Sequence, residues 1–159
     1  MFDRYGRKEG IRMTDYDLLA RQADALISGH FTADLANISA LIYSSLENLN
    51  WAGFYLFEGE TLVLGPFQGN VACVEIQKGK GVCGTAATQD KTVVVPDVHK
   101  FCGHIACDSA SRSEIVVPIH SFGKVTGVLD IDSPVFSRFS EEDRKGLEKL
   151  ALLIEKKLF

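Results

Sequence analysis

The spacing of apolar residues changes period along the chain and divides it into elements. Over 14–27, Leu19, Ala23, Leu26 and Ile27 recur at i, i+4, i+7 and i+8, one face of a helix with Thr14 as its N-cap. Gly29 and His30 break that pattern, and Thr32 caps a second helix whose apolar face is Leu35, Ile38, Leu41, Ile42 and Leu46. The period then shortens to that of strands. Residues 51–57 and 61–64 read as a hairpin turned at Glu58-Gly59-Glu60. Residues 71–77 read as a third strand and 92–95 as another, ended by Pro96. A short helix fits 84–89, and Gly79, Gly81 and Gly84 around Val82-Cys83 mark a tight turn or a close backbone approach. Residues 114–121 and 124–131 form the clearest hairpin, turned at Phe122-Gly123. Ser140 then caps a last helix with an acidic first turn and a face of Leu147, Leu150, Ala151, Ile154 and Leu158. About six strands in mostly hairpin order, with helices before and after, predict an α+β domain: an antiparallel sheet with helices packed on it.

Composition narrows the class. With 159 residues, 46% hydrophobic and 24% charged, the chain has the makeup of one folded domain rather than a disordered one. A net charge of -4 without a basic run argues against nucleic acid as a partner. No apolar run reaches the roughly 18 residues of a membrane span, so no membrane partner is expected. The opening MFDRYGRKEGIRM is charged with no apolar stretch behind it, unlike a secretory signal. Residues 1–12 are expected to be a poorly ordered tail, with Met13 as an alternative natural start. The expected location is cytoplasmic. There, four cysteines are more often free, metal-binding or catalytic than structural disulfides.

Residues 97–118, DVHKFCGHIACDSASRSEIVVP, crowd two histidines, two cysteines and three acids between apolar runs. Loops held by rigid scaffolds are where chemistry sits. Cys107, set among Gly103, Asp108, Ser109, Ser111 and Ser113, is the candidate redox nucleophile. Cys73 and Cys83 lie in other elements, and separate cysteines that converge are what a thiol relay needs. One thiolate attacks, and a second resolves the oxidised sulfur as a disulfide. The plain alternative is a small buried hydrophobe, above all for Cys73 inside the predicted strand VACVEI. Asp97, His99, Cys102, His104 and Cys107 offer metal ligands at short spacing. No Cys-x-x-Cys pair exists, however, and the pattern matches no common structural zinc site, so no metal is expected.

The acids form a second constellation. In LDID, Asp130 and Asp132 share one strand face, and Glu114 across the hairpin would bring a third carboxylate to it. Such a group is costly unless it meets a cation or holds a proton. A substrate ammonium would satisfy it, and a shared proton could pass to a leaving oxygen. An acidic edge facing water is the alternative. Trp51 and Tyr55, four apart on one strand face, are either core or the wall of a pocket for an apolar group such as a thioether methyl.

Several motifs resemble those of the free methionine-(R)-sulfoxide reductases, enzymes built on a GAF domain. They are NWAGFYL (50–56), LGPFQG (64–69), GKGVCGTA (79–86), DVH (97–99), GHIACDSASRSEIVVP (103–118) and GVLDIDSP (127–134). The resemblance spans nearly the whole chain, and three cysteines in the family's order, 10 and then 24 residues apart, make it specific. It implies a single GAF domain over 13–159 with a central antiparallel six-stranded sheet, and thiol-dependent reduction of free L-methionine-(R)-sulfoxide with no cofactor. It implies that Cys107 attacks the sulfoxide sulfur and becomes a sulfenic acid. Cys73 or Cys83, in either pairing, then forms the disulfide, and thioredoxin restores the thiols. Glu114, Asp130 and Asp132 would bind the ammonium group and assist the sulfoxide oxygen, with Trp51 and Tyr55 around the methyl. Cys102 stands outside the family's set. The backbone N–H groups over 107–113 are a candidate site for the substrate carboxylate. The oligomeric state stays open, a homodimer being one option. A small-molecule-sensing GAF domain without catalysis is the alternative function.

Overall fold

A computed structural model describes residues 14–105 and 107–159. The tail expected over 1–12 lies outside the described residues. The elements in order are α1 (Tyr16–Leu26), α2 (Phe31–Ser45), β1 (Trp51–Glu58), β2 (Thr61–Gly69), β3 (Glu75–Gln77), α3 (Gly81–Gln89), β4 (Val93–Val95), a 3-10 turn (Val98–Lys100), β5 (Ser113–Ser121), β6 (Lys124–Ser133) and α4 (Glu141–Leu158). The strands form one sheet in the order β3-β2-β1-β6-β5-β4, with every neighbouring pair antiparallel.

Alternation along the central strands sorts side chains between two layers. Ala52 and Phe54, Ile115 and Val117, and Leu129 and Ile131 pack against α1, α2 and α4. Trp51, Tyr55, Val116 and Val128 face the other way, toward Val82 and Cys83 of α3. Each large side chain fully buried in either layer is worth about 1.5–3 kcal/mol. The β5–β6 hairpin turns where expected: Phe122 and Gly123 both have positive φ, 49° and 74°, as a type I′ turn requires. Ser140 and Asp143 form a reciprocal capping box at the start of α4.

Local departures from the sequence pattern each have a cause. The cap of α1 is Asp15, whose carboxylate accepts from the Leu18 N–H at 2.8 Å, rather than Thr14. Helix α2 starts at Phe31, ahead of Thr32, because the Asp34 carboxylate reaches back to the N–H groups of Ser28 and Gly29 at 2.9 and 2.8 Å. Strand β2 runs on to Gly69, while β3 shrinks to Glu75–Gln77. Cys73 therefore sits in a loop over 70–74 and not inside a strand. The carbonyls of Asn70 and Cys73 accept from Trp51 and Tyr55 side chains instead of pairing along a ladder.

Candidate active site

Strand register assembles the acids in rows. Trp51 of β1 pairs with Asp132 of β6, which pairs with Glu114 of β5. The next row holds Gly53, Asp130 and Val116, and the one after it Tyr55, Val128 and Pro118. The alternation that sends Leu129 and Ile131 into the helical layer thus turns Asp130 and Asp132 into a pocket under α3. Glu114 and Asp130 are each only 6% exposed, so the cluster is not an acidic edge facing water.

Burial dominates its electrostatics. It pushes Glu114 well above the ordinary carboxylate range, and the neighbouring Asp130 and Asp132 charges push it further. Burial raises Asp130 to about 6, against hydrogen bonding that favours its ionised form. Asp132 is raised by burial first, then by Asp130 and Asp108. At neutral pH the cluster therefore retains protons, and Glu114 is an acid able to donate one. Asp130 Oδ1 is buried without a hydrogen-bond partner.

Around this cluster the cysteines gather. A disulfide joins Cys73 to Cys107, with their Cα atoms 5.3 Å apart, and Cys107 lines the acidic pocket. Cys83 of α3 remains a free thiol, 3% exposed, with Sγ 4.0 Å from Glu114 Oε1. Burial, followed by the Asp130 and Glu114 charges, raises its pKa well above that of an ordinary thiol, which disfavours the nucleophilic thiolate. Cys102 is exposed and free.

Trp51 and Tyr55 do more than fill space. Their rings stack at 5.8 Å between centroids, and Phe67 stacks on Trp51 at 5.2 Å. Gly53 makes this possible, because a Cβ there would overlap Phe67. Trp51 Nε1–H donates to the Asn70 carbonyl at 3.2 Å and the Tyr55 hydroxyl to the Cys73 carbonyl at 2.8 Å. The aromatic wall therefore also anchors the loop that carries Cys73. The cavity it lines is about 40 Å³.

The GAF domain family model matches residues 33–158. The free methionine-R-sulfoxide reductase of Escherichia coli is 55% identical over 145 residues, covering 90% of this chain and 88% of that protein. The chain belongs to the GAF domain family, among the free methionine-R-sulfoxide reductases. The structure of fRMsr of Staphylococcus aureus in its reduced form superposes with a TM-score of 0.90 at 53% identity, covering 94% of this chain and 99% of that one. The same reductase in complex with substrate gives a TM-score of 0.89 at the same identity and coverage.

Within this GAF domain some working residues escape a sequence reading. Asn50 Nδ2 donates to Asp108 Oδ2 and to Ser111 Oγ, both at 3.0 Å, tying the loop of Cys107 to the start of β1. Asp108 is held below the usual carboxylate range, chiefly by the Ala110 N–H. His104 lines the pocket with Nε2 4.0 Å from Glu114 Oε2, and burial, then His99, lowers its pKa and keeps it neutral. Only the adjacency of His104 to Cys107 hints at this, and that signal points equally to a metal site.

The set Asp97, His99, Cys102, His104 and Cys107, already disfavoured as a metal site by its spacing, does not assemble. Asp97 instead caps the 3-10 turn through the His99 N–H, and Cys102 is exposed. Among the described residues, the group with metal-ligating geometry is Cys83, Glu114 and Asp130. The amides over 107–113 are partly engaged. Cys107, Ala110, Ser111 and Arg112 donate their N–H groups within the fold, and Asp108 places a carboxylate there.

Proposed function

We propose that this domain reduces free L-methionine-(R)-sulfoxide to methionine, using its own thiols and no cofactor. The observation that carries the reading is the Cys73–Cys107 disulfide beside a cluster of three carboxyls, of which Glu114 and Asp130 are buried. The Cys107 thiolate attacks the sulfoxide sulfur while the protonated Glu114 carboxyl supplies a proton to the oxygen. In the adduct the hydroxyl passes from the substrate sulfur to the Cys107 sulfur as the S–O bond and the new S–S bond both break, so methionine leaves and Cys107 becomes a sulfenic acid. The Cys73 thiol then attacks that sulfur, forms the disulfide and releases water. Cys83, the alternative partner, is disfavoured by its raised pKa.

Asp130 and Asp132 take the substrate ammonium, which supplies the cation their burial lacks. Trp51 and Tyr55 wall the methyl group. A free amino acid suits this site, because a residue within a protein chain has no ammonium to present to its carboxyls. The proposal extends to thioredoxin as the dithiol reductant, to the cytoplasm, where such a reductant keeps thiols reduced, and to residues 13–159 as the catalytic unit. The proposal leaves the assembly open between monomer and homodimer, which sedimentation equilibrium decides. A coupled assay following NADPH with thioredoxin and its reductase tests the activity. Turnover of the free R epimer that disappears in Cys107→Ser is expected. Tight binding of sulfoxide without thiol consumption would instead make the domain a sensor.

A further inference from the structure

The proposed cycle leaves Cys83 unused, although it is the most buried cysteine and lies against the acids. Its Sγ, one oxygen of Glu114 and one of Asp130 all lie within 4.8 Å of one another, and all three residues are buried. They come from α3, β5 and β6, three elements packed on one another, so the spacing is set by the fold rather than by a loop. Asp130 Oδ1, on a residue 6% exposed, has no hydrogen-bond partner. The geometry points to a site for a thiophilic divalent cation, Zn²⁺ by chemical class, held by Cys83 Sγ, Glu114 and Asp130, with a solvent or ligand oxygen completing the shell.

The fit is quantitative. A tetrahedral zinc with bonds of about 2.0–2.3 Å places its ligand atoms about 3.3–3.8 Å apart. The Cys83–Glu114 separation is 4.0 Å and all three ligand atoms lie within 4.8 Å of one another, so binding needs a contraction of up to about 1 Å. A thiolate with carboxylates selects zinc or cobalt over magnesium and calcium, which take all-oxygen shells. A cation there would also meet Asp130 Oδ1, which is buried without a hydrogen-bond partner. Binding must then expel protons. The disulfide engages Cys73 and Cys107 but not Cys83, so the site persists in the oxidised protein, which turns nothing over. If the proposed function holds, the metal occupies the carboxylates that receive the substrate ammonium and blocks the enzyme competitively.

The test is direct binding, so its outcome does not depend on activity. Oxidised protein carrying Cys102→Ser, which removes the exposed thiol, is titrated with Co²⁺ and then Zn²⁺ at neutral pH. Expected are one equivalent bound, a thiolate-to-cobalt charge-transfer band, proton release, and displacement of cobalt by zinc. Adding Cys83→Ser should abolish the band and weaken binding by about 100-fold, and Asp130→Asn should weaken it by about 10–100-fold, as loss of a ligand does. Near-UV circular dichroism verifies that each variant is folded, and Cys83→Ala replaces Cys83→Ser if that variant is not. No band at saturating cobalt, or a band that survives loss of Cys83, overturns the assignment.

Discussion

Replacing Asp130 with Asn should stabilise the fold while crippling the enzyme, and the first effect has a calculable sign and size. Burial raises the Asp130 carboxyl from 3.8 to about 6. A carboxyl that holds its proton more tightly folded than unfolded costs nothing below its unfolded pKa. As pH rises through the interval, the unfolded chain releases the proton first and stability falls; above the folded pKa the loss is complete. The shift is roughly two units at about 1.4 kcal/mol each, so Asp130 costs about 3 kcal/mol above pH 6. Asn keeps the shape without the charge and recovers up to that amount. For a domain of this length about 3 kcal/mol moves the melting temperature by roughly 5–10 °C. Thermal melts of the two oxidised proteins between about pH 4 and pH 8 should show the gain at the alkaline end and none at the acid end. In the same variant, losing the ammonium partner should cost about 2–5 kcal/mol in kcat/KM. A melting temperature at about pH 8 no higher than the parent's, or a gain that does not shrink toward pH 4, refutes the view that Asp130 is held against its own burial.

Three other substitutions probe the scaffold. Gly146→Ala should destabilise although Ala is the better helix former by about 1 kcal/mol, because its Cβ would overlap the Tyr16 ring, whose hydroxyl donates to Asp143 Oδ1 at 2.6 Å. Overpacking at about 1–3 kcal/mol wins, so the urea midpoint should fall, and a higher midpoint contradicts the packing argument. At His120, burial alone would lower the pKa, but hydrogen bonds with Glu155 and Asp90, both 2.7 Å, outweigh it and raise it. A raised histidine stabilises fully below its unfolded pKa and loses that contribution as pH climbs through the folded one. His120→Gln should therefore cost about 0.5–1 kcal/mol near pH 6, allowing for its partial exposure, and much less near pH 9; a difference independent of pH sinks the idea. Asn50→Ala, by releasing Asp108 and Ser111, should lower kcat/KM by about 10–100-fold through misplacement of the Cys107 loop, with stability down by only about 1–3 kcal/mol. Unchanged kinetics would show that Asn50 does not position the loop.

Much of this site is legible in sequence because a sheet converts alternation into direction. LDID suffices to place Asp130 and Asp132 on one face, but Glu114 joins them only because the β5–β6 pairing shifts register between Ile119 and His120, so that Glu114 meets Asp132 rather than Ile131, and nothing local in the sequence marks that shift. Where a local signal competes with a tertiary one, the reading fails. VACVEI has a strand's composition, yet Trp51 and Tyr55, some twenty residues earlier, claim the carbonyls of that segment and bend it into the loop that brings Cys73 to Cys107. Thr14 and Asp15 are both good N-caps, and only the bond to Leu18 distinguishes them. Asn50 looks like an ordinary residue ahead of a strand, and nothing local reveals that its amide reaches Asp108 and Ser111.

The disulfide also imposes an order on the proposed cycle. With Cys73 and Cys107 joined, the cavity over the acids is about 40 Å³. An apolar cavity of about 150 Å³ admits benzene, and methionine sulfoxide is larger than benzene, so the oxidised site cannot take in a whole substrate. Reduction must therefore precede the next binding event, and the reductant meets a protein whose site holds no amino acid. Methionine, the unreactive product, reports on this without turnover. Calorimetric titration should show it binding the reduced protein at least about 10-fold more tightly than the oxidised one, a differential of about 1.4 kcal/mol or more. Equal affinities for the two redox forms would mean that the cavity opens independently of the disulfide, and the proposed order of events would fall.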